Sequence, residues 1–350
     1  MLSFKKYLSH RLKSTLLLTL ILCVLAIIIV SSTVILRMGI YYEWPGEAPG
    51  EPVEVRGLRI ENFGSVMFIL GALCTVIPVL ELSGLKNKRN ADTIYSLPVS
   101  RTKLALAHYI SGLIQIFAVY TSAYAALFIK IISSRLSSQV SSYGALIWCY
   151  FLLLVAGVAV YSIFMAIFNS ANTVADGCLF IGVWSILPAL LLIALNEFGG
   201  NTSGILSIPF VDRLSEGFLY PHAALLVTEA FYNMAIGREV LMIYFNYAIF
   251  WTAIGAICTA VYFRSFVKKR TEEIGDISDT VFGYKVIIPI GLFCMTQAFD
   301  EKAVCAILGI LMATIAYMIY RRSFKLKRSD IICIVSIVAF TSISMSLLGK

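Results

Sequence analysis

The chain predicts an all-α polytopic membrane protein, and three observations predict it. Of its 350 residues 59% are hydrophobic and only 14% are charged, with a mean hydropathy of +0.86, whereas a soluble chain carries about a quarter of its residues charged. The apolar residues gather in runs of about twenty, the length of helix that crosses a bilayer core. The 28 lysines and arginines come in short clusters beside those runs, as the orientation of a membrane protein requires. A continuous basic face is missing, so the net charge of +8 does not predict a nucleic-acid partner.

Residues 1–14, MLSFKKYLSHRLKS, mix Leu2, Phe4, Tyr7 and Leu8 with Lys5, Lys6, His10 and Arg11. They predict an interfacial helix lying on an anionic leaflet, with Lys5, Lys6, Tyr7 and Arg11 at membrane lipid. A first span follows at about 15–36, longer than a signal-peptide core and without a small-residue cleavage site, so it is expected to stay as a helix. Residues 37–62 hold five glutamates and three prolines and predict an outer loop. Span 2 is expected at about 63–82.

Spans 3, 4 and 5 are expected at about 104–129, 144–168 and 173–195, with Ser100 placed to cap span 3. The long outer loop 196–242 contains a moderately apolar stretch, 222–236, too short to cross, which predicts an interfacial or re-entrant helix pair. Span 6, about 243–263, closes a core of 15–263. A charged cytoplasmic loop, 264–284, then leads to a C-terminal extension, 285–350, with spans at about 285–299, 303–320 and 331–348.

That layout of about nine spans is oriented N-in/C-out by its charges. With the N-terminus inside, roughly two thirds of the lysines and arginines fall in inner segments and most acids in outer ones, as the positive-inside rule requires.

Ionisable residues inside spans mark pathways, because each is costly in hydrocarbon. Only Glu81, His108, Lys130 and Asp176 qualify. Glu81 and His108 lie near cytoplasmic span ends, Lys130 can snorkel, and Asp176 sits a few residues inside span 5; structural readings suffice for all four, and Asp176 is the pathway candidate. The eight cysteines lie in apolar stretches without C-x-x-C spacing, which reads as packing, with neither disulfides nor a zinc site. There is no H-E-x-x-H, G-x-S-x-G or G-x-x-x-x-G-K-[ST], so no catalytic residue, metal site or cofactor is expected in this chain.

The stretch 81–115 stands out. Lys86, Lys88, Arg89, Arg101 and Lys103 bracket a short amphipathic segment, Ala91 to Leu97, closed by Pro98. A passive loop needs only polar residues, whereas this one carries Ile94, Tyr95 and Leu97 outside the bilayer, which predicts docking within 84–103. A transmission helix over 86–97 is expected, with Pro98 fixing the exit into span 3.

The run from Leu85 to Arg101, LKNKRNADTIYSLPVSR, resembles the cytoplasmic loop of ABC-2-type transporter permeases of Gram-positive bacteria, in which a basic stretch, an Asp and Ser-Leu-Pro-[IV]-x-Arg separate the second and third spans. Lys269 to Asp276, KRTEEIGD, is similar to the R-[ST]-E-x-A-G pattern of the same permeases, with Ile274 where a small residue is usual. The resemblance implies a six-helix core plus C-terminal helices of the extended branch. It also implies a permease subunit, an exporter by family tendency, in the bacterial plasma membrane. Such a subunit binds a separate ABC ATPase that supplies ATP and Mg, and it pairs with a second permease subunit of the same or another kind.

On that resemblance the ATPase-docking residues are Arg89, Asp92, Ile94, Tyr95, Ser96, Leu97, Pro98 and Arg101, with Arg270, Glu272 and Gly275 forming a second cytoplasmic motif. Two other readings of the residues stand beside it. One is a membrane-anchored sensor or interaction protein. The other is an ion-driven secondary transporter, which the scarcity of mid-membrane charge disfavours.

Overall fold

Long runs of Leu, Ile, Val and Ala leave the backbone no partner in lipid except itself, so the chain satisfies its amides within helices. The computed structural model describes residues 4–43, 53–62, 64–137, 143–200, 238–297 and 302–347. In order they form α1 (Phe4–Thr33), β1 (Ile35–Glu43), β2 (Val53–Glu61), α2 (Gly64–Leu82), α3 (Lys88–Tyr95), α4 (Arg101–Ser133), α5 (Tyr143–Ser170), α6 (Val174–Gly200), α7 (Arg238–Lys268), α8 (Tyr284–Gln297), α9 (Lys302–Arg321) and α10 (Arg328–Leu347).

Among the described residues six helices are long and apolar enough to cross a membrane: Phe4–Thr33, Gly64–Lys86, Arg101–Ser133, Leu146–Ser170, Ile249–Lys268 and Val304–Arg321. Val174–Pro188 and Tyr284–Gln297 are shorter apolar helices. The centre of the expected outer loop, with its 222–236 stretch, lies outside the described residues.

Two features differ from expectation. Of the expected interfacial helix 1–14, the described residues 4–14 are not a separate helix: from Phe4 the chain runs on as one helix to Thr33, because no Gly or Pro interrupts it. The stretch expected as the first outer loop forms an antiparallel hairpin, with β1 paired to β2 from Ile35↔Glu61 to Glu43↔Val53 through Gly39↔Gly57. In Val53–Glu61, VEVRGLRIE, apolar and charged residues largely alternate, the period-2 pattern of a strand. The three prolines fall between or before the strand positions that need ladder donors.

The described residues divide into two compact units. One is drawn from Met1–Glu81, Leu97–Met165 and His222–Phe263, the other from Leu82–Ser96, Ala166–Pro221 and Arg264–Lys350.

In the first unit α1 packs along α4. α1 has no basic residue in its own last turn. Lys130 of α4 supplies one, its ammonium donating to Ser31 O and Val34 O at 2.6 Å each, where a helix end carries partial negative charge. An aromatic core joins α4, α5 and α7. The Tyr109 ring lies 5.4 Å from that of Tyr161 and 5.9 Å from that of Tyr262. Their hydroxyls are not orphaned: Tyr161 donates to Tyr109 O at 3.2 Å, Tyr262 to Ala105 O at 3.1 Å, and Tyr109 pairs with Ser162 Oγ at 2.7 Å. Small residues admit this packing, since a Cβ on Gly255 would stand 2.7 Å from Ala159 Cα, so α7 meets α5 nearly backbone to backbone.

In the second unit α8 packs on α6, α9 and α10. Leu187, Ala194 and Cys294 form a small core there. The Trp184 indole donates to Phe282 O at 2.9 Å, and the Tyr284 ring lies 5.2 Å from Phe180 and 5.3 Å from Tyr320.

Candidate functional site

The stretch expected to dock folds as a helix one turn shorter than expected. Ser83–Lys86 is a 3-10 turn, and Asn87 is extended at φ −99° and ψ 122°, its side chain accepting from Arg89 N at 3.1 Å. Asn87 therefore caps α3, which starts at Lys88 and not at 86, because an N-cap must leave helical geometry. The helix ends at Tyr95, before Pro98, with Ser96 N donating to Asp92 O at 3.0 Å. The bias of a residue before proline against helical geometry reaches only Leu97, so the stop at Tyr95 has a different origin.

The apolar stripe of α3 is partly used by the protein itself. Ala91 is fully buried, Ile94, Tyr95 and Leu97 are half-buried, and the Tyr95 ring lies 6.2 Å from Phe266, edge-on. An eight-residue helix gains most of its stability from such packing. The face left in solvent is polar: Lys88, Arg89, Asn90, Asp92, Thr93 and Ser96 are exposed, as is Pro98. Arg101 begins α4 half-buried, and Ser100 takes the N-cap position without a side-chain cap bond.

The second motif expected from the sequence, residues 269–276, meets this helix. Thr271–Glu273 form a 3-10 turn that touches α3, with Arg270 and Glu272 exposed. Gly275 has φ +89°, a conformation that L side chains rarely adopt, and a Cβ there would meet Lys88 Cε at 3.4 Å. Its N–H donates to Asn172 O at 3.1 Å, and its carbonyl accepts from Arg322 Nη1 at 3.1 Å. Ile274, in the place of a small residue, is buried to 1% exposure and anchors the turn.

Beneath the turn lies a polar centre built on the α5–α6 connection. Lys86, expected among the solvated cations of the loop, is instead 8% exposed. Its ammonium donates to Asn169 O at 3.0 Å and to Ala171 O. Lys269 donates to the same two carbonyls, at 2.7 Å to Asn169 O, so two lysine side chains share the carboxyl end of α5. Such an end attracts cations, and neither residue could reach water without losing these bonds. Burial pushes the Lys269 ammonium down to about 8.

Asp176, the sequence-predicted pathway residue, stands in the first turn of α6. Its carboxylate accepts from Ser278 Oγ at 2.6 Å and from the Tyr284 hydroxyl at 2.8 Å. A carboxylate at a helix N-terminus is favourable in its own right, and here it ties α6 to the 264–284 loop.

In the first unit, sequence reasoning missed a second centre, around Glu81. Its carboxylate has two donors on each oxygen. Oε1 accepts from Ser111 Oγ at 2.9 Å and Gln115 Nε2 at 2.5 Å; Oε2 accepts from Arg11 Nε at 3.1 Å and pairs with His108 Nδ1 at 3.2 Å. His108 Nε2 pairs with the Tyr7 hydroxyl at 3.2 Å, and a neutral imidazole satisfies both bonds. Two of the four residues expected at the lipid surface, Tyr7 and Arg11, are thus turned inward; Lys5 and Lys6 are exposed. The signal for this network was the pair of polar positions Ser111 and Gln115, four apart on one face of span 3.

Among the described residues no group of three or more His, Cys, Asp and Glu side chains is placed to hold a metal ion. Comparison with family models, with curated proteins and with solved structures gave no match.

Proposed function

We propose that this chain is the membrane-spanning permease subunit of an ATP-driven transporter of the ABC-2 type, with nine spans, N-in/C-out, in a bacterial plasma membrane. It works as an exporter beside a second permease subunit. ATP and Mg belong to a partner ATPase, since this sequence carries no nucleotide-binding loop.

One observation carries the reading. The two segments that resemble permease motifs, far apart in sequence, meet on one surface: α3 touches Thr271–Glu273, Lys88 lies beside Gly275, and Tyr95 packs on Phe266. A loop that served only to orient the chain would not need a capped helix braced by a second charged loop. The docking face is the exposed side of α3, with Arg89 and Asp92 offering charge-assisted hydrogen bonds and Ser96 a short polar one. Closure of the ATPase pair pushes on α3, and the short Asn87 and Ser96–Ser100 connections transmit that push into α2 and α4.

The test is ATPase activity and transport of the reconstituted complex carrying Asp92→Ala with Leu97→Ala. Loss of substrate-coupled ATPase with the subunits still co-purifying, or loss of assembly itself, supports the reading. Unchanged assembly and coupling would sink it. Failure of the unmodified chain to recover any ATPase from its own membranes would count against the whole proposal.

A further inference from the structure

The most exposed large apolar side chain among the described residues is not on a helix flank facing lipid. Phe324, 90% exposed, stands in the turn between α9 and α10, and Val281, 77% exposed, stands in the preceding loop. The two segments are joined by the Tyr284–Tyr320 ring contact. The turn is built, not frayed. Arg322 adopts φ 50°. Arg322 N and Ser323 N donate to Ile319 O at 3.1 Å and Met318 O at 3.2 Å. Lys325 N donates to Ser323 Oγ, and Lys327 N to Asp330 Oδ2, at 3.2 Å each. Backbone donors that would otherwise pull the turn inward are thereby occupied, and Phe324 is held outward.

Around it Arg322, Lys325, Lys327 and Arg328 are all exposed. Two of the acids nearby are already committed: Asp330 takes both forks of Arg321, at 2.8 and 3.2 Å, and Asp279 takes Lys285 at 2.6 Å; Asp276, next to the Gly275 that holds Arg322, is exposed. With that one exposed aspartate among four exposed cations, this turn keeps a net positive charge. α9 has 20 residues, a rise of about 30 Å, the thickness of the hydrocarbon core. A residue three positions beyond its end sits at headgroup depth. Acyl chains that cover the flanks of α9 and α10 do not account for an aromatic at the tip of the polar turn, whereas an anionic leaflet supplies both an apolar boundary for the ring and phosphates for the cations.

We propose that the 322–328 turn is an interfacial anchor for anionic phospholipid, with Phe324 entering the boundary between headgroups and acyl chains and Arg322, Lys325, Lys327 and Arg328 binding lipid phosphates. Val281 is a second, smaller apolar tip of the same surface. The anchor is independent of how the protein is energised.

The experiment places Phe324→Trp in the full chain, in vesicles of phosphatidylglycerol or phosphatidylcholine whose acyl chains are brominated near the headgroup, and subtracts the parent chain's emission. The expected result is strong quenching of the added indole in phosphatidylglycerol that falls when Lys325→Gln and Lys327→Gln are added, and less quenching in phosphatidylcholine. Each cation removed weakens lipid retention about fivefold. A water-exposed, unquenched indole in phosphatidylglycerol overturns the proposal, as does equal quenching in both lipids. Shielding that arises only when a soluble protein is added overturns it in favour of a protein partner. Anionic lipid retained through detergent purification, measured by mass spectrometry on the unmodified chain and on the double Gln variant, tests the same point without the Trp variant; equal retention overturns it.

Discussion

Arg11 grips Glu81 twice, its Nε donating to the carboxylate at 3.1 Å and its Nη2 to the Glu81 backbone carbonyl at 2.9 Å. One guanidinium thus holds both the side chain and the final turn of α2, and it does so from α1. Glu81 is 1% exposed and Arg11 about a quarter exposed. Removing the cation leaves a buried carboxylate with three hydrogen-bond donors and no full compensating charge. Arg11→Ala is expected to lower stability by roughly 2–3 kcal/mol, below the full cost of breaking a wholly buried pair because water reaches the arginine. Arg11→Lys should fall between, since an ammonium cannot span both oxygens in the fixed geometry of the fork. Apparent unfolding temperature in micelles measures this, and an Arg11→Ala chain as stable as the parent would contradict it.

Close helix approach makes a second prediction. A Cβ on Gly255 would lie 2.7 Å from Ala159 Cα and 2.8 Å from its Cβ, and backbone cannot step aside as a side-chain tip can. Gly255→Ala is expected to cost about 1–3 kcal/mol through overpacking. Gly182, in the exposed part of α6, has nothing within 4 Å of its added Cβ, so Gly182→Ala should be neutral or stabilising by up to about 1 kcal/mol, from helix propensity alone. The pair of variants, compared by thermal unfolding, separates packing from propensity. Equal shifts would show that α5 and α7 are not in such contact.

Much of the helical layout is legible in the sequence because a bilayer leaves hydropathy few alternatives. The expected span at 63–82 has its helix at Gly64–Leu82, and that at 144–168 at Tyr143–Ser170. The hairpin was less visible: VEVRGLRIE carries the strand alternation, but acids and prolines around it read more loudly as loop. The Glu81 centre was hidden for another reason. Its donors stand 70, 27, 30 and 34 positions away; the Ser111 and Gln115 pair marks a polar face on α4, but not that Arg11 of α1 and Glu81 of α2 converge on it. Lys86 misled in the same way. Beside Lys88 and Arg89 it reads as one more surface cation, and only the fold brings the α5 carbonyls, 83 and 85 positions on, to its ammonium.

That shared pair of carbonyls gives a pH dependence. Lys269 loses its proton near pH 8 in the folded chain, through burial, against 10.5 when unperturbed. Between those values the unfolded chain binds more protons than the folded one, so stability rises with pH across about 8 to 10.5 and gains nothing further above it. Below pH 8 the cost of burying the charge is constant. Lys269→Gln removes this group and leaves the Lys86 side chain on the same two carbonyls. The expected outcome is that the parent's apparent unfolding temperature rises relative to that of Lys269→Gln between pH 8 and pH 10. A difference that stays flat over that window would show that Lys269 is not titrating in this surrounding.

The last prediction concerns α3, the helix proposed to dock, whose eight residues are too few to hold helical geometry alone in water. Beside the buried Ala91 and the Thr271–Glu273 turn, two contacts help hold it: the Asn87 side chain on Arg89 N at 3.1 Å, and the Tyr95 ring against Phe266 at 6.2 Å. Asn87→Ala should cost about 1 kcal/mol of helix stability, and Asn87→Ser or Asn87→Asp much less, because each restores a side-chain acceptor. Tyr95→Ala removes an aromatic contact of about 0.5–1.5 kcal/mol beyond its burial. Neither residue adds charge to the exposed face, so both variants should insert and fold as the parent does, yet expose the α3 backbone to amide exchange. In a complex with the partner ATPase, coupling should fall in the order parent, Asn87→Ser, Asn87→Ala, and Asn87→Ala with Tyr95→Ala. Measured amide protection over 88–95 that drops in that order, with ATPase coupling unchanged, would separate the helix from the function proposed for it.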